Sequence, residues 1–220
     1  MVPDEPDEEA VSGARAVERL TYFSDAVVAI AITLLAIDLP VPSGSTASEL
    51  WTSFRHDDGH YVAFLISFAV IAAAWRDHYY LFRQAKGTDA RLLQLDCGWL
   101  LTIVLNPFAT RLLVASDQTV ATHALRFGFY ALLQVLESAM LYVMLRYMSA
   151  HQLAGLSDLA VKNQARKSYT LMLAFGLSIP VFFATTYAWV LWFAAPVLIS
   201  RRDRRRRDEQ GGDQPRTARS

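Results

Sequence analysis

Between Tyr22 and Ser200 the chain is a succession of apolar runs, several of them about twenty residues long and separated by short polar links. About twenty apolar residues in helical form cross the hydrocarbon layer of a bilayer. A helix satisfies its own backbone hydrogen bonds, which lipid cannot do for it. A soluble core of this size has no need of several such runs. The pattern therefore predicts an all-α integral membrane protein. The composition agrees: 53% of the 220 residues are hydrophobic, and the charged ones gather at the ends and in the links.

The first run covers about Tyr22 to Leu39, and Pro40 and Pro42 stop it. Its eighteen residues rise about 27 Å as a helix. A polar stretch rich in Ser and Thr follows, then Arg55 to His60. Further runs cover about Tyr61 to Phe82, Leu92 to Val114 and Thr122 to Met148. The segment Ser168 to Ser200 is long for one span and short for two, with Pro180 as a breakpoint. Charge favours two. With six transmembrane helices, 18 of the 21 Lys and Arg residues fall on one side of the membrane, leaving only Arg55, Arg111 and Arg126 on the other. By the positive-inside rule that side is cytoplasmic and holds both termini. The expected organisation is an acidic, disordered cytoplasmic tail over 1–17, a six-helix transmembrane domain over 18–200, and a basic cytoplasmic tail over 201–220. The membrane expected is the plasma membrane.

The tail arginines read as an orientation signal at an anionic leaflet rather than as a nucleic-acid patch. The single cysteine, Cys97, excludes an intrachain disulfide and a paired-thiolate metal site, and reads as a small buried hydrophobe. No cleavable signal is evident, so the first run reads as retained. The chain has no His-Glu-x-x-His, Gly-x-Ser-x-Gly or phosphate-binding glycine pattern, so nothing points to an enzyme. His56, Asp57, Asp58 and His60 share one loop and read as solvated rather than metal-binding.

The first helix has an unusual layout. A charged and hydroxyl-bearing entrance, Arg19 to Asp25, leads into small and branched apolar residues. At about 100° per residue, Ala26, Ile30, Thr33 and Ile37 fall within a stripe roughly 60° wide, and Asp25 points about 140° away from Ile30. Two readings fit the stripe. It packs inside a bundle with Thr33 bonded to its own backbone, or it lines a narrow pore in which branched apolar rings gate by dewetting and a hydroxyl ring replaces part of an ion's hydration.

Arg19-x-x-x-Phe23-Ser24-Asp25, followed by Ala29-Ile30 and Thr33-Leu34, resembles the signature of the transmembrane protein 175 family, the lysosomal-type potassium channels with bacterial members. Ser67-Phe68, Trp75-x-x-His78 and Phe82 are similar to that family's second helix. Asn106-Pro107-Phe108-Ala109-Thr110 with Leu112-Leu113 resembles the end of its third, where Leu-Pro-Phe is usual. Tyr130 and Arg146-Tyr147 fit its fourth. The resemblance covers about residues 18–200. It implies a potassium channel lacking the Thr-Val-Gly-Tyr-Gly filter, a motif this sequence does not contain.

The resemblance further implies that the first helix of each subunit lines the pore. Ile30 would form the constriction, Thr33 a hydroxyl layer and Ile37 the next apolar layer, with Leu34 beside them. It implies a polar network of Arg19, Phe23, Ser24 and Asp25 with Trp75 and His78. Many bacterial members carry a second His directly after the first, where this chain has Tyr79. A tyrosine donates a hydrogen bond but carries no positive charge. One pore helix per chain cannot enclose a pore, and the resemblance implies a homotetramer in lipid. It also implies potassium as the permeant ion, no cofactor, no nucleic acid and no small-molecule substrate.

Other ionisable residues also fall in or near the spans. Arg76, Asp77 and Arg111 read as structural pairs or interfacial positions, Asp96 stands as a candidate only because it is a charge within a span, and the mid-helix Glu137 reads as a buried hydrogen-bonding residue or a proton-sensitive site. Tyr61 and Trp99 read as interfacial anchors. A secondary transporter is the alternative function. Its usual marks are paired repeats and broken helices, and only Pro107 and Pro180 hint at breaks.

Overall fold

The structure, a computed structural model, describes residues 8–115 and 119–182. These form six helices in chain order: α1 (Glu8–Ile37), α2 (Ala47–His56), α3 (Asp58–Phe82), α4 (Ala90–Val114), α5 (Val120–Ala150) and α6 (Asp158–Phe182). The fold is all-α. Four helices are long and apolar enough to cross a membrane: α3, α4, α5 and, within α1, Val11–Ile37. They correspond to the first four runs of the sequence. α6 passes through Pro180 rather than stopping there. The rest of the 168–200 segment, where a sixth span is expected, lies outside the described residues, as does the basic tail.

Two differences from expectation have clear causes. The N-terminal segment is helical from residue 8, not disordered through 17. Val17 and Leu20 extend the buried stripe of α1 by another turn, through Ser24, Val28, Ala31 and Leu35. Spacings of three and four keep all six on one face. The second difference is α2, which occupies a stretch that reads as a polar loop. A capping box starts it: Thr46 Oγ1 accepts from the Glu49 amide at 3.2 Å, and Glu49 Oε2 accepts from the Thr46 amide at 3.3 Å. Each bond satisfies a backbone N–H that a helix start otherwise leaves open.

α1 packs on α3 and α4, α4 on α5, and α5 on α6. One core joins Val28, Ala31 and Leu35 of α1 to Ile71 and Ala74 of α3, Trp99 and Ile103 of α4, and Leu141, Met144 and Leu145 of α5. A second joins Ala109 of α4 to Phe127, Tyr130 and Ala131 of α5 and Phe175 of α6. Lipid tails are as apolar as these side chains, so close packing and interhelical hydrogen bonds, not escape from water, drive such contacts.

The links sort to two ends of the bundle. The α3–α4 and α5–α6 links meet: the Lys86 amide donates to the Leu153 carbonyl at 2.7 Å and the Gly155 amide to the Gln84 carbonyl at 2.9 Å, around an Ala85–Ala154 bridge. Gly13 of α1 approaches Lys86 at this same end. At the other end, Asp38 after α1 pairs with Arg111 of α4 at 3.4 Å. Outside the spans, Asp89 caps α4 by accepting from the Leu92 amide at 2.7 Å, and it also accepts from Tyr147 of α5 at 2.6 Å. The Tyr147 hydroxyl above all, then the Leu92 amide, holds the Asp89 carboxyl below its usual range.

Candidate functional site on the first helix

α1 has two faces of opposite character. Its buried face ends in a polar hub. Ser24 donates to Asp96 Oδ2 of α4 at 2.7 Å, and His78 Nε2 of α3 lies 2.7 Å from Asp96 Oδ1. All three side chains are fully buried. Among the described residues His78 Nδ1 has no partner, and a carboxylate oxygen accepts, so Nε2 is the nitrogen that donates. The imidazole is sandwiched between Trp99, 4.2 Å away between ring centroids and 9° from parallel, and Phe82 at 4.3 Å and 23°. One carboxylate thus ties three helices together.

This arrangement partitions the sequence-derived network. Asp25 accepts from Trp75 Nε1 at 2.7 Å. His78 joins Ser24 and Asp96 instead of Asp25. Arg19 is exposed and forms no ion pair within the described residues. Six residues of helix separate Arg19 from Asp25, which places them about 120° apart around α1. Phe23 is also exposed. Tyr79 stacks on Trp75 with 5.7 Å between centroids and lies under the Arg83 guanidinium.

The other face of α1 carries Ala26, Ile30, Thr33 and Ile37, all exposed in the single chain. Ile30 is 59% and Ile37 77% exposed, and Leu34 beside them is exposed as well. Thr33 Oγ1 donates to the Ile30 carbonyl at 2.8 Å. The helix backbone thereby satisfies the hydroxyl's proton and leaves its oxygen lone pairs turned outward.

Several residues read differently from the sequence. Asp96 is the hub, although sequence alone gives it no assigned role. Its signal is a carboxylate inside the Leu92–Val114 run, three residues before a tryptophan. Trp99 is fully buried against His78 and is no interfacial anchor. Cys97 is exposed, on the outward α4 stripe with Leu93, Leu101 and Val104. Asp77 is bonded by Lys167 of α6, with Arg76 Nε 3.9 Å away. Among the described residues no group of three or more His, Cys, Asp or Glu side chains could hold a metal.

A second polar network lies between α3, α4 and α5. Asn106 Nδ2 donates to Glu137 Oε2 at 3.1 Å, and Gln134 Nε2 donates to Asn106 Oδ1 at 2.7 Å. Thr110 donates to Ser67 at 2.7 Å, and the Ser67 and Tyr130 hydroxyls lie 3.2 Å apart. Asn106 precedes Pro107, which sits inside α4. Buried polar groups that satisfy one another in this way fix helix register in an apolar medium.

The geometry defines a class: an all-α, multi-span membrane protein whose first helix is locked by a buried carboxylate on one side and presents, on the other, an apolar stripe that the described residues leave exposed. Residues 19–107 match the family model for the endosomal/lysosomal potassium channel TMEM175. Over that stretch the chain is similar to the TMEM175 family.

A potassium channel of Streptomyces collinus is 35% identical over 95 residues, covering 43% of this chain and 46% of the relative. A potassium channel of a Chryseobacterium species is 34% identical over 92 residues, covering 42% and 46%. The human endosomal/lysosomal proton channel TMEM175 is 27% identical over 113 residues, covering 51% of this chain and 22% of that protein. The chain spans about half the length of the bacterial relatives it matches. A crystal structure of a lysosomal potassium-selective channel TMEM175 homologue from Chamaesiphon minutus superposes with a TM-score of 0.65 at 23% identity, covering 83% of this chain and 93% of that one. At that identity the likeness speaks for the fold.

Proposed function

We propose that this chain is a subunit of a potassium-conducting cation channel of the plasma membrane, with both termini cytoplasmic. The pore is lined by the outward stripe of α1 from each subunit. Ile30 forms the constriction, Thr33 supplies a hydroxyl layer, and Leu34 and Ile37 complete the apolar wall. The observation that carries this reading is the exposure of that stripe on a helix whose opposite face is buried and hydrogen-bonded. In a bilayer such a face meets lipid, another chain or a water path. The relatives named as potassium channels favour the last. Four copies around an axis close the path, because one helix cannot. Ser24, Asp25, Trp75 and His78 hold the pore helix, while Arg19 and Phe23 face outward, where a neighbouring subunit would meet them.

Potassium flux into proteoliposomes of the purified chain, with sodium in parallel, tests the reading. Flux that favours potassium and needs no coupling ion or substrate gradient is expected. Saturable uptake driven by a proton gradient would instead identify a transporter. Ile30→Asn adds a polar group at the constriction, so it should raise sodium entry along with potassium. Unchanged conductance and selectivity in that variant would remove Ile30 from the gate.

A further inference from the structure

We propose that α2 is an interfacial helix that docks on the lipid headgroup layer beside the end of α1, independently of whether the protein conducts ions. The chain leaves one spanning helix at Ile37 and enters the next at Asp58. Everything between must therefore lie at one membrane surface. α2 is ten residues long and buries none of them within the chain. At about 100° per residue, Ala47, Leu50, Trp51 and Phe54 share an arc of roughly 100°, and Ser48, Glu49, Thr52, Ser53 and His56 take the rest.

Leu50, Trp51 and Phe54 are all exposed. An aromatic ladder continues this face into α3: Trp51 stacks on Phe54 with 5.7 Å between centroids, and Phe54 on Tyr61 with 4.5 Å. Tyr61 in turn donates its hydroxyl to the Pro40 carbonyl at 2.7 Å, just past the end of α1. The apolar face of α2 is thus continuous with the spanning helices on either side of it. Arg55 lies over Trp51 at 5.3 Å, which brings a cation to the edge of the aromatic face. Amphipathic segments with tryptophan on one face and basic residues at its edge settle at the boundary of headgroups and acyl chains. The cation there complements lipid phosphate. Through Tyr61 and Pro40, this anchor also fixes the height at which α1 ends.

The test uses the full chain in vesicles containing lipids brominated at shallow or deep acyl positions. Trp51 emission is taken as the difference between wild type and Trp51→Phe. Shallow bromines should remove most of this emission, deep bromines little, and aqueous iodide little. Quenching by iodide alone would place Trp51 in water and overturn the proposal. Protection from both iodide and bromolipid would place it against another protein chain and overturn it equally. A nitroxide on Leu50→Cys in a Cys97→Ser background serves if Trp51→Phe does not fold. Collisions with oxygen should exceed those with an aqueous nickel chelate, and the reverse order would overturn the proposal.

Discussion

On one side of α1, Val17, Leu20, Ser24, Val28, Ala31 and Leu35 are buried against the bundle; on the other, Ala26, Ile30, Thr33 and Ile37 face outward. Both faces are mostly apolar, so hydrophobicity does not tell them apart. What separates them is interhelical hydrogen bonding. The inner face brings Ser24 within 2.7 Å of a buried carboxylate, and Ala31 packs into the core beside it. The outer face carries Ile30 and Ile37, which no described residue covers. In a membrane the apolar medium rewards both arrangements alike, so polar contacts decide which face turns inward.

The largest effect expected from breaking this contrast is at Asp96. Asp96→Ala leaves Ser24 and His78 buried without their acceptor, at a cost of about 3 kcal/mol or more. Thermal unfolding in detergent should show a large drop, whereas Ile30→Ala should stay within about 0.5 kcal/mol of wild type. Equal stability in the two variants would erase the distinction between the faces. Asp25→Ala sits at the boundary between them. It removes the acceptor from Trp75 Nε1 and should cost about 1 kcal/mol. A loss as large as that of Asp96→Ala would mean that Asp25 has a partner beyond Trp75.

The smallest effect lies outside the membrane and sharpens the comparison by contrast. Asp89 has a lowered pKa because Tyr147 and the Leu92 amide donate to it. A carboxylate whose pKa is depressed on folding adds stability above its unfolded value, near about 4, and loses it as pH falls through the folded value. Tyr147→Phe weakens that depression. The advantage of wild type over the variant should therefore be complete above about pH 4 and vanish in stronger acid. A difference that persists unchanged into strong acid would place the effect in packing rather than in the Asp89 carboxylate.

Much of the fold is legible in the sequence because span-length apolar runs are a local property. The positions of α3, α4 and α5 follow from run length alone. α2 escapes that reading because ten residues do not make a span. Its readable signal is Thr46 followed three residues later by Glu49. The stripe on α1 is legible from spacing, but periodicity does not say whether it faces the bundle or the outside. The hub is less legible still: Ser24 and Asp96 lie 72 residues apart, and only the packing of α1 on α4 brings them together. Arg19 and Asp25 stand together in the linear motif, yet six positions of helix turn the two side chains apart, and no ion pair joins them among the described residues.

The most direct test of the account asks which face of α1 meets the ion path. In a Cys97→Ser background, single substitutions Ile30→Cys, Thr33→Cys and Ile37→Cys are compared with Val28→Cys and Ala31→Cys, with potassium flux measured before and after a bulky, charged thiol reagent. The account predicts that modification blocks flux in the first three and leaves the last two unchanged. Block at Val28 and Ala31, with none at Ile30, Thr33 and Ile37, would contradict it.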